Sequence, residues 1–386
     1  MTLVLVCALP IWAAFVTSGD VTNPLLTTAD AAELTLQGMI DKANAGDTIT
    51  LNSNTEIAAT LQITKNLTLD LNGYVLKMGG TGRVIHITSS AEVEIKDGES
   101  NRAHTGEYAA LPAGGVITGG KAESGGGILL DGGCTLKLTG GCITDCRATD
   151  TGGGGVDLRG STAILYISGT ARIENCTAGE VWGANAIFNS GTMYADGGTV
   201  DGTVNNQGTI KHSNGVTDVT VFNEAVYNRA KKIIETGIYK GTVENRGSIT
   251  GGTFYGGVTD DGGTIRGGTF AVTFDIGDGT KTEPTLVEYN NPVPERAAPT
   301  KSGHTFTGWY LGEEKYNFDT PVTAPLTLTA KWEKVPSSGG YYYYPTTDTK
   351  ADDAKGSPKT ADPGIALYAA LSLLSLTGLT CTAKKR

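Results

Sequence analysis

The chain has 386 residues, including 55 glycines but only 8 phenylalanines and 4 tryptophans, and 18% of its residues are charged. So much glycine is unusual for a compact α/β enzyme, and so little proline and charge argues against a disordered chain. The formal net charge is -10 and the isoelectric point is about 5.0. An acidic chain lacks the basic surface that nucleic acid requires, so no nucleic-acid partner is expected.

The N-terminus begins with an apolar run over residues 1–16 that is too short to cross the hydrocarbon core of a membrane. Small polar residues follow at 17–19, as they do at the end of a secretory signal peptide. The sequence therefore predicts a signal peptide over residues 1–19, although the basic start of such signals is missing ahead of Lys42. Lipid attachment at Cys7 is disfavoured because no small residue precedes it.

The period of the apolar residues changes after the first helix. Asp30 to Ala45 has apolar residues near a 3.6-residue period and stops at Gly46, which predicts one amphipathic helix. Short alternating segments separated by Asn, Gly, Thr and Ser turns then predict strands. These segments are Thr48–Leu51, Leu61–Ile63, Leu67–Leu71, Val84–Ile87 and Val93–Ile95.

Internal repeats follow the first strands. Four pairs of segments carry them: Gly125–Ile128 with Gly153–Val156 (offset 28), Ile143–Cys146 with Ile173–Cys176 (offset 30), Thr203–Ile210 with Thr242–Ile249, and Ile249–Phe254 with Ile265–Phe270 (offset 16). Repeated units of short strands bury their apolar faces only by stacking, which is how solenoids fold.

The helix, strands and repeats together resemble the right-handed parallel β-helix proteins of the pectate-lyase-like superfamily, over residues 30–270. The resemblance implies an all-β solenoid with inward aliphatic and cysteine ladders, glycine and asparagine corners, and the first helix capping its open edge. The unequal offsets imply coils of different size. A β-propeller or a β-sandwich is the alternative fold.

The sequence pattern changes again over residues 271–334. Gly303–Tyr310 contains the order Gly-x-x-Phe-x-Gly-Trp-Tyr, and the segment ends on Ala330-Lys331-Trp332. This region is identified as a member of the internalin-type B repeats, also called Listeria-Bacteroides repeats. The family implies a small β-grasp-like module of secreted bacterial proteins with no catalytic residues. His304 replaces the usual Tyr, and Asn290-Asn291 replaces the usual Gly turn.

The C-terminal 52 residues divide into a stalk and a three-part signal. Residues 335–356 are polar and of low complexity, which predicts a flexible stalk. Next come Ser357-Pro358-Lys359-Thr360-Ala361, an apolar stretch over 365–382, and a basic tail at 384–386. This order resembles the sortase sorting signal of Gram-positive wall-anchored proteins, whose core is Leu-Pro-x-Thr-Gly.

The sorting-signal resemblance implies how this chain is held. The apolar stretch forms a membrane-spanning helix with its basic tail in the cytoplasm, and sortase cleaves after Thr360 and joins its carbonyl to peptidoglycan. Ser357 and Ala361 depart from the family pattern, which puts the sortase class and the cleavage in doubt. A plain C-terminal membrane anchor is the alternative, and both readings place the body outside the cell.

The chemistry-bearing residues are sparse. Cys146 and Cys176 occupy equivalent repeat positions, so their thiols are expected to stack, either as a disulfide or as buried free thiols. Neither the cysteines nor the four scattered histidines have metal-ligand or nucleophile spacing, so no metal and no cofactor is expected.

A polysaccharide lyase or glycoside hydrolase is the enzymatic alternative, because β-helices host both. Such enzymes need carboxylates, with or without a basic residue, on one face of neighbouring coils. Asp131, Asp157 and Arg159 follow the paired glycine motifs and are candidates, as is the Asp260-Asp261 pair.

The preferred interpretation is a non-enzymatic display or adhesion protein, extracellular and anchored to the cell wall. Its expected partners are sortase, peptidoglycan, the membrane before processing, and a glycan or host-surface ligand. Tyr239 and Tyr255 are candidates for sugar contact on the solenoid flank. A purely structural spacer is the third possibility.

Overall fold

The computed structural model describes residues 35–179 and 184–336, together with the backbone of Phe15–Thr17. The fold described here belongs to the first of two compact units, Met1–Val335. Phe15–Thr17 pairs antiparallel with Thr48–Thr50. The rest of the predicted signal peptide lies outside the described residues, as do residues 337–386.

Three parallel faces build most of this unit, and the chain passes through face 2, face 3 and face 1 in each coil. Face 1 contains Leu61–Ile63, Ile85–Ile87, Ile128–Leu130, Val156–Leu158, Ile187–Asn189, Val204–Asn206, Val226–Asn228, Val243–Asn245 and Val258–Asp260. Face 2 contains Thr48–Thr50, Leu67–Asp70, Glu92–Lys96, Thr135–Leu138, the first parts of Ile164–Glu174 and Thr192–Asp201, Thr209–Lys211, Ile233–Ile234, Ser248–Ile249 and Thr264–Ile265.

Face 3 continues from the second halves of the two long strands. It contains Thr55–Ile57, Val75–Met78, Val116–Thr118, Cys142–Thr144, the second parts of Ile164–Glu174 and Thr192–Asp201, Val221–Phe222, Ile238–Tyr239, Thr253–Phe254 and Thr269–Asp275. A small corner sheet of Lys121–Ala122, Arg147–Ala148 and Thr177–Ala178 separates faces 3 and 1 in the larger coils.

The strands stack in register, and the predicted repeats are coils of the chain. Three pairs carry the predicted offsets: Ile128 with Val156, Ile143 with Ile173, and Ile249 with Ile265. The longer echo between residues 203–210 and 242–249 spans two coils, because Val204 pairs with Val226 and Val226 with Val243. Long parallel sheets of this kind are consistent with a β-helix solenoid, and the name solenoid is used below for residues 48–275. Its handedness stays a prediction.

The solenoid interior changes chemistry along its axis. On face 1 the inward third position is Ile63, Ile87, Leu130 and Leu158 in the early coils, and all four are buried. From Asn189 onward the same position holds asparagine, which we call the asparagine ladder. Its members are Asn189, Asn206, Asn228 and Asn245, all buried, and Asp260 ends it.

Each side chain of the asparagine ladder donates from its Nδ2 to the Oδ1 of the next. The four distances lie between 2.8 and 3.0 Å. The Oδ1 atoms also accept backbone N–H groups of the following turns, for example Gly191 and Gly247. Buried amides are stable only when such partners are present, so the ladder is a satisfied network.

Face 3 carries an aromatic stack in the last coils. Val200 is followed in register by Phe222, Tyr239, Phe254 and Phe270. Successive ring centroids lie 5.0, 4.9 and 5.2 Å apart, and the first two pairs are nearly parallel. Tyr239 is fully buried and its hydroxyl donates to the Thr236 carbonyl at 2.6 Å.

The helix at the N-terminal end covers an open strand edge, as predicted, but it is shorter than expected. It spans Leu36–Lys42 and begins at Thr35, whose Oγ1 accepts the Gly38 N–H at 3.1 Å. It ends there because Ala43 is extended, whereas the prediction ran to residue 45. Gln37 bonds both backbone groups of Gln62 on the first strand of face 1, at 2.8 and 3.1 Å. An edge that is paired in this way cannot recruit another chain.

The C-terminal module forms a mixed sheet. Its strands are Thr269–Asp275, Thr285–Glu288, His304–Leu311, Glu314–Lys315 and Leu326–Lys334. Leu326–Lys334 lies between the first strand, to which it is parallel, and His304–Leu311, to which it is antiparallel. Asn290 adopts a left-handed φ of 67°, which asparagine tolerates in place of glycine.

One strand joins the solenoid to this module without a linker. Thr269 and Phe270 stack on Thr253 and Phe254 of the preceding coil, while residues 272–275 pair with 326–329. Thr285–Glu288 runs antiparallel across residues 269–272. The predicted boundary at residue 271 therefore falls inside a continuous strand, and the module closes the last coil.

Candidate functional site

The outer side of face 2 carries a row of four in-register residues that we call the tyrosine strip: Lys137, Tyr166, Tyr194 and Lys211. The strip is partly exposed. Two of its members, Tyr166 and Tyr194, have rings that stack with centroids 4.3 Å apart and planes 5° from parallel. Lys211 places its Nζ 4.7 Å from the Tyr194 ring centroid, and Glu92 holds Lys137 in an ion pair.

The geometry of the tyrosine strip decides what it offers to a ligand. Because the two rings face each other along the solenoid axis, their edges and hydroxyls point outward rather than their faces. Burial and the neighbouring Tyr194 raise the pKa of Tyr166, so its hydroxyl stays protonated. A hydrogen bond with Tyr194 raises the pKa of Lys211, and one with Glu92 raises that of Lys137. The strip therefore presents two tyrosine hydroxyls between two lysine side chains, a polar surface suited to a polar ligand.

A groove of about 440 Å³ lies beside the strip, at the corner between faces 2 and 3. Gly169 in its wall is three residues beyond Tyr166. Asp97 lines it too, but its carboxylate accepts the Gly73 and Gly115 N–H groups at 2.6 and 2.7 Å. This carboxylate therefore ties together the two ends of the loop over residues 97–115, which forms one side of the groove.

The two tyrosines proposed from the sequence for sugar contact differ in burial. The interpretation of Tyr239 was wrong, because its side chain belongs to the buried aromatic stack and leaves no surface for a ligand. Tyr255 is 42% exposed and remains available. Sequence reasoning missed Tyr166 and Tyr194, although their spacing of 28 residues matches the offset already seen between Ile128 and Val156.

The carboxylates proposed for the enzymatic alternative are brought to face 1. Asp131 and Arg159 follow equivalent strands one coil apart, and Asp157 lies on the outer side of its strand. The Oδ2 of Asp131 lies 3.1 Å from the Nε2 of His86. Asp157 lies 3.8 Å from the Arg159 Nε and is 3% exposed.

A polar network encloses Asp157. The Ser124 hydroxyl hydrogen-bonds with Asp157 and accepts from Arg159, while the Ser124 carbonyl accepts from Arg83 at 3.3 Å. Burial raises the pKa of Asp157 to about 6, against the opposing effects of Arg159, Ser124 and Arg83. Burial, with the neighbouring Arg159, also lowers the pKa of Arg83.

The burial of Asp157 predicts a pH-dependent stability. A carboxyl whose pKa is raised on folding stabilises the fold while it is protonated, and that contribution is lost as the pH rises through about 6. The rise from 3.8 to about 6 corresponds to ~3 kcal/mol. The free energy of unfolding of Asp157→Asn, measured relative to that of the parent protein, is therefore expected to be up to ~3 kcal/mol higher at pH 8 than at pH 4. Urea unfolding at both pH values measures this, with the exposed Glu123→Gln as control, and parallel profiles for Asp157→Asn and the parent would contradict it.

The Asp260-Asp261 pair is occupied by structural contacts. Asp260 Oδ1 accepts from Asn245 at the end of the asparagine ladder, at 3.0 Å. Asp261 forms an ion pair with Arg246 at 2.6 Å between Oδ2 and Nη2. The two carboxylates are thus engaged with different partners.

The four cysteines of the described body are buried and free. Cys146 and Cys176 lie in adjacent coils, and their Sγ atoms donate to the backbone carbonyls of Thr144 at 3.4 Å and Ile143 at 3.7 Å. Cys142 lies between Val116 and Arg172 on face 3, and burial raises the pKa of its thiol strongly. Among the described residues, groups of three or more His, Cys, Asp or Glu side chains placed to hold a metal ion are not found.

The predicted sorting residues Ser357, Pro358, Lys359, Thr360 and Ala361 lie outside the described residues, as does the apolar stretch 365–382. Within residues 35–179 and 184–336, no helix has the length and apolar character needed to cross a membrane.

Comparison with known proteins supports the class assigned to the C-terminal module. Residues 270–331 match the family model of the Listeria-Bacteroides repeat domain, which confirms the identification made from the Gly-Trp-Tyr and Ala-Lys-Trp segments. The mixed sheet described above is the fold of this repeat in the present chain. Repeats of this family occur on bacterial surface proteins.

Two curated relatives come from Evansella cellulosilytica. One, described as a "Putative Gly-rich membrane protein", is 37% identical over 68 residues, which cover 17% of this chain and 8% of that protein. The other, described as a "Putative membrane protein", is 36% identical over 67 residues, or 16% of this chain and 10% of that protein. The matched segment thus spans a tenth or less of either relative. No solved structure matches this chain.

Proposed function

We propose that this chain is an exported bacterial surface protein that displays its solenoid outside the cell and contacts a polar extracellular ligand, most simply a glycan. The observation that carries the surface assignment is the Listeria-Bacteroides repeat at residues 270–331, joined by a continuous strand to the solenoid. The two relatives described as membrane proteins support it.

In this proposal the protein is held at its C-terminus by the sequence Ser357-Pro358-Lys359-Thr360-Ala361. A sortase cysteine attacks the Thr360 carbonyl, the Thr360–Ala361 peptide bond breaks, and an amine of the wall precursor releases the acyl-enzyme. The products are a chain joined to peptidoglycan and a free membrane segment. The right-handed coil and the stalk over 335–356 complete the proposed architecture.

Replacing Thr360 tests the anchoring step. Thr360→Ala is expected to move the protein from the muramidase-released wall fraction to the membrane fraction or the medium, because the acyl bond forms at this residue. Lys359→Ala is the matched control, since the family pattern accepts any residue there. Equal wall fractions for both variants would show that the chain is held by a plain membrane anchor or by another route.

The tyrosine strip is the proposed ligand contact. Its hydroxyls lie in a row on adjacent coils, and strands in a sheet are about 4.8 Å apart, close to the spacing of polar groups along an extended sugar chain. Asp157 is 3% exposed and enclosed by Ser124, Arg83 and Arg159, so it is not open to a substrate, which favours binding over turnover.

Replacing the tyrosines separates two modes of binding. Tyr166→Phe/Tyr194→Phe keeps the ring stack and removes both hydroxyls, so it is expected to weaken glycan binding at least tenfold if hydrogen bonds carry it. The measurement is binding to an array of host and microbial glycans, with the exposed Tyr255→Phe as control. Retained binding in the double Phe variant, or no glycan bound by the parent protein, would contradict the assignment to this strip.

A further inference from the structure

Two turns that follow face 3 in adjacent coils each contain a left-handed residue at the equivalent position. Asp145 and Asn175 both adopt a left-handed φ of 52°, immediately before Cys146 and Cys176. Both cysteines are buried, with 1% and 5% of their surface exposed. The left-handed residue turns the chain after each strand, so that the following cysteine enters the core.

The register places the two thiols next to each other. Ile143 pairs with Ile173 before the turns, and Arg147 pairs with Thr177 after them. The Thr177 N–H donates to the Cys146 carbonyl at 2.9 Å, so the cysteines lie in directly adjacent coils. Neighbouring strands are about 4.8 Å apart, within the roughly 4.4–6.8 Å between Cα atoms that a disulfide requires.

We propose that Cys146 and Cys176 form a disulfide that links two coils of the solenoid. The Cys176 Sγ donates to the carbonyl of Ile143, in the coil that carries Cys146, at 3.7 Å, so the thiol of Cys176 points towards that coil. The inference rests on the proposed export, because disulfides persist outside the cytoplasm.

The reaction is a thiol–disulfide exchange with a small-molecule disulfide, RSSR, as oxidant. Both cysteines lose their protons, one sulfur–sulfur bond forms between them, the RSSR bond breaks, and two RSH molecules leave with the two electrons. The neighbouring Cys146 thiol and burial raise the pKa of the Cys176 thiol. Since the thiolate is the reacting form, oxidation belongs to folding of the chain rather than to the finished solenoid.

The other two cysteines provide matched controls. Cys134 occupies the corner position that Ala91 and Ala163 hold in neighbouring coils. Cys142 lies between Val116 and Arg172. Both are buried like the proposed pair, but each has neighbours in register that are not cysteines.

Refolding with an oxidant tests the disulfide. The full chain is refolded from urea with oxidised glutathione, its free thiols are alkylated under denaturing conditions, and trypsin peptides are mapped without reduction. We expect a linked pair of peptides, 138–147 and 173–211, that disappears in Cys146→Ser and Cys176→Ser and persists in Cys134→Ser and Cys142→Ser. Reductant is expected to lower the Tm of the linked parent protein by several degrees and to leave that of Cys176→Ser unchanged.

Two outcomes would overturn the proposal. One is a refolded parent protein, native by far-UV circular dichroism, in which Cys146 and Cys176 are both alkylated. The other is a peptide linkage that survives Cys176→Ser. Because peptide 138–147 also contains Cys142, fragmentation of the linked parent peptides identifies the bonded cysteine even if a serine variant does not fold. Fractionation of Thr360→Ala tests export and anchoring separately, so failure of one proposal is distinguishable from failure of the other.

Discussion

Phe254→Ala is expected to lower the free energy of unfolding by about 3–5 kcal/mol. Phe254 is fully buried between Tyr239 and Phe270, with ring centroids 4.9 and 5.2 Å away. Truncation removes both ring contacts and leaves a cavity that cannot close, because each neighbour is fixed by the backbone pairing of its own coil. Urea unfolding followed by far-UV circular dichroism measures the loss.

The next residue supplies the control for Phe254. Tyr255→Ala removes a ring of similar size from a side chain that is 42% exposed, so the expected loss is below about 1 kcal/mol. If Phe254→Ala loses much more free energy of unfolding than Tyr255→Ala, the loss comes from the aromatic stack and not from a change in the backbone that the two residues share. If both variants lost similar stability, the stack would not be the source of the effect.

Asn206→Leu is expected to lower the free energy of unfolding by about 2–4 kcal/mol, because two buried amides lose a partner. Asn206 accepts from Asn189 and donates to Asn228, at 2.8 and 2.9 Å. Leucine fits the shape of the position, since Leu158 holds it two coils earlier, but it cannot replace either hydrogen bond. The same urea measurement gives the effect.

Gln207→Leu is the matched control for the asparagine ladder. Gln207 is the following residue, is only half-buried, and is held by a backbone bond to Asn189 that the substitution keeps. Its expected change is within about 0.5 kcal/mol. An Asn206→Leu protein as stable as the parent would mean that the ladder adds no net stability.

Several of the early strands could be predicted because short strands of a stacked coil alternate in hydrophobicity and repeat, but Thr55–Ile57 and Val75–Met78 on face 3 were missed. Leu61–Ile63 was placed at its observed bounds, and the 28-residue offset of Ile128 and Val156 is an in-register pair. The helix was predicted too long, because apolar periodicity continued through Ala43 while the backbone had already become extended.

The candidate site was harder to predict from the sequence than the strands. Tyr239 and Tyr194 are both tyrosines in strands of the solenoid, yet one points inward and the other outward. A shift of one residue in a strand reverses the face to which a side chain points, so the composition of the segment cannot decide it. The enclosure of Asp157 by Ser124 and Arg83 joins segments that lie far apart in the chain, which no local pattern encodes.

The sequence by itself determined the class of this protein: an all-β repeating body, a Listeria-Bacteroides repeat, and coils whose offsets can be counted from the glycine and cysteine motifs. These follow from local alternation and from repetition, which are properties of neighbouring residues. Only the tertiary structure decided that Tyr239 is core and Tyr166 surface, that Cys146 lies against Cys176, and that one strand unites the solenoid with its C-terminal module. The physical reason is that stacking brings together residues 15 to 43 positions apart, and only the register of the coils fixes which of them meet.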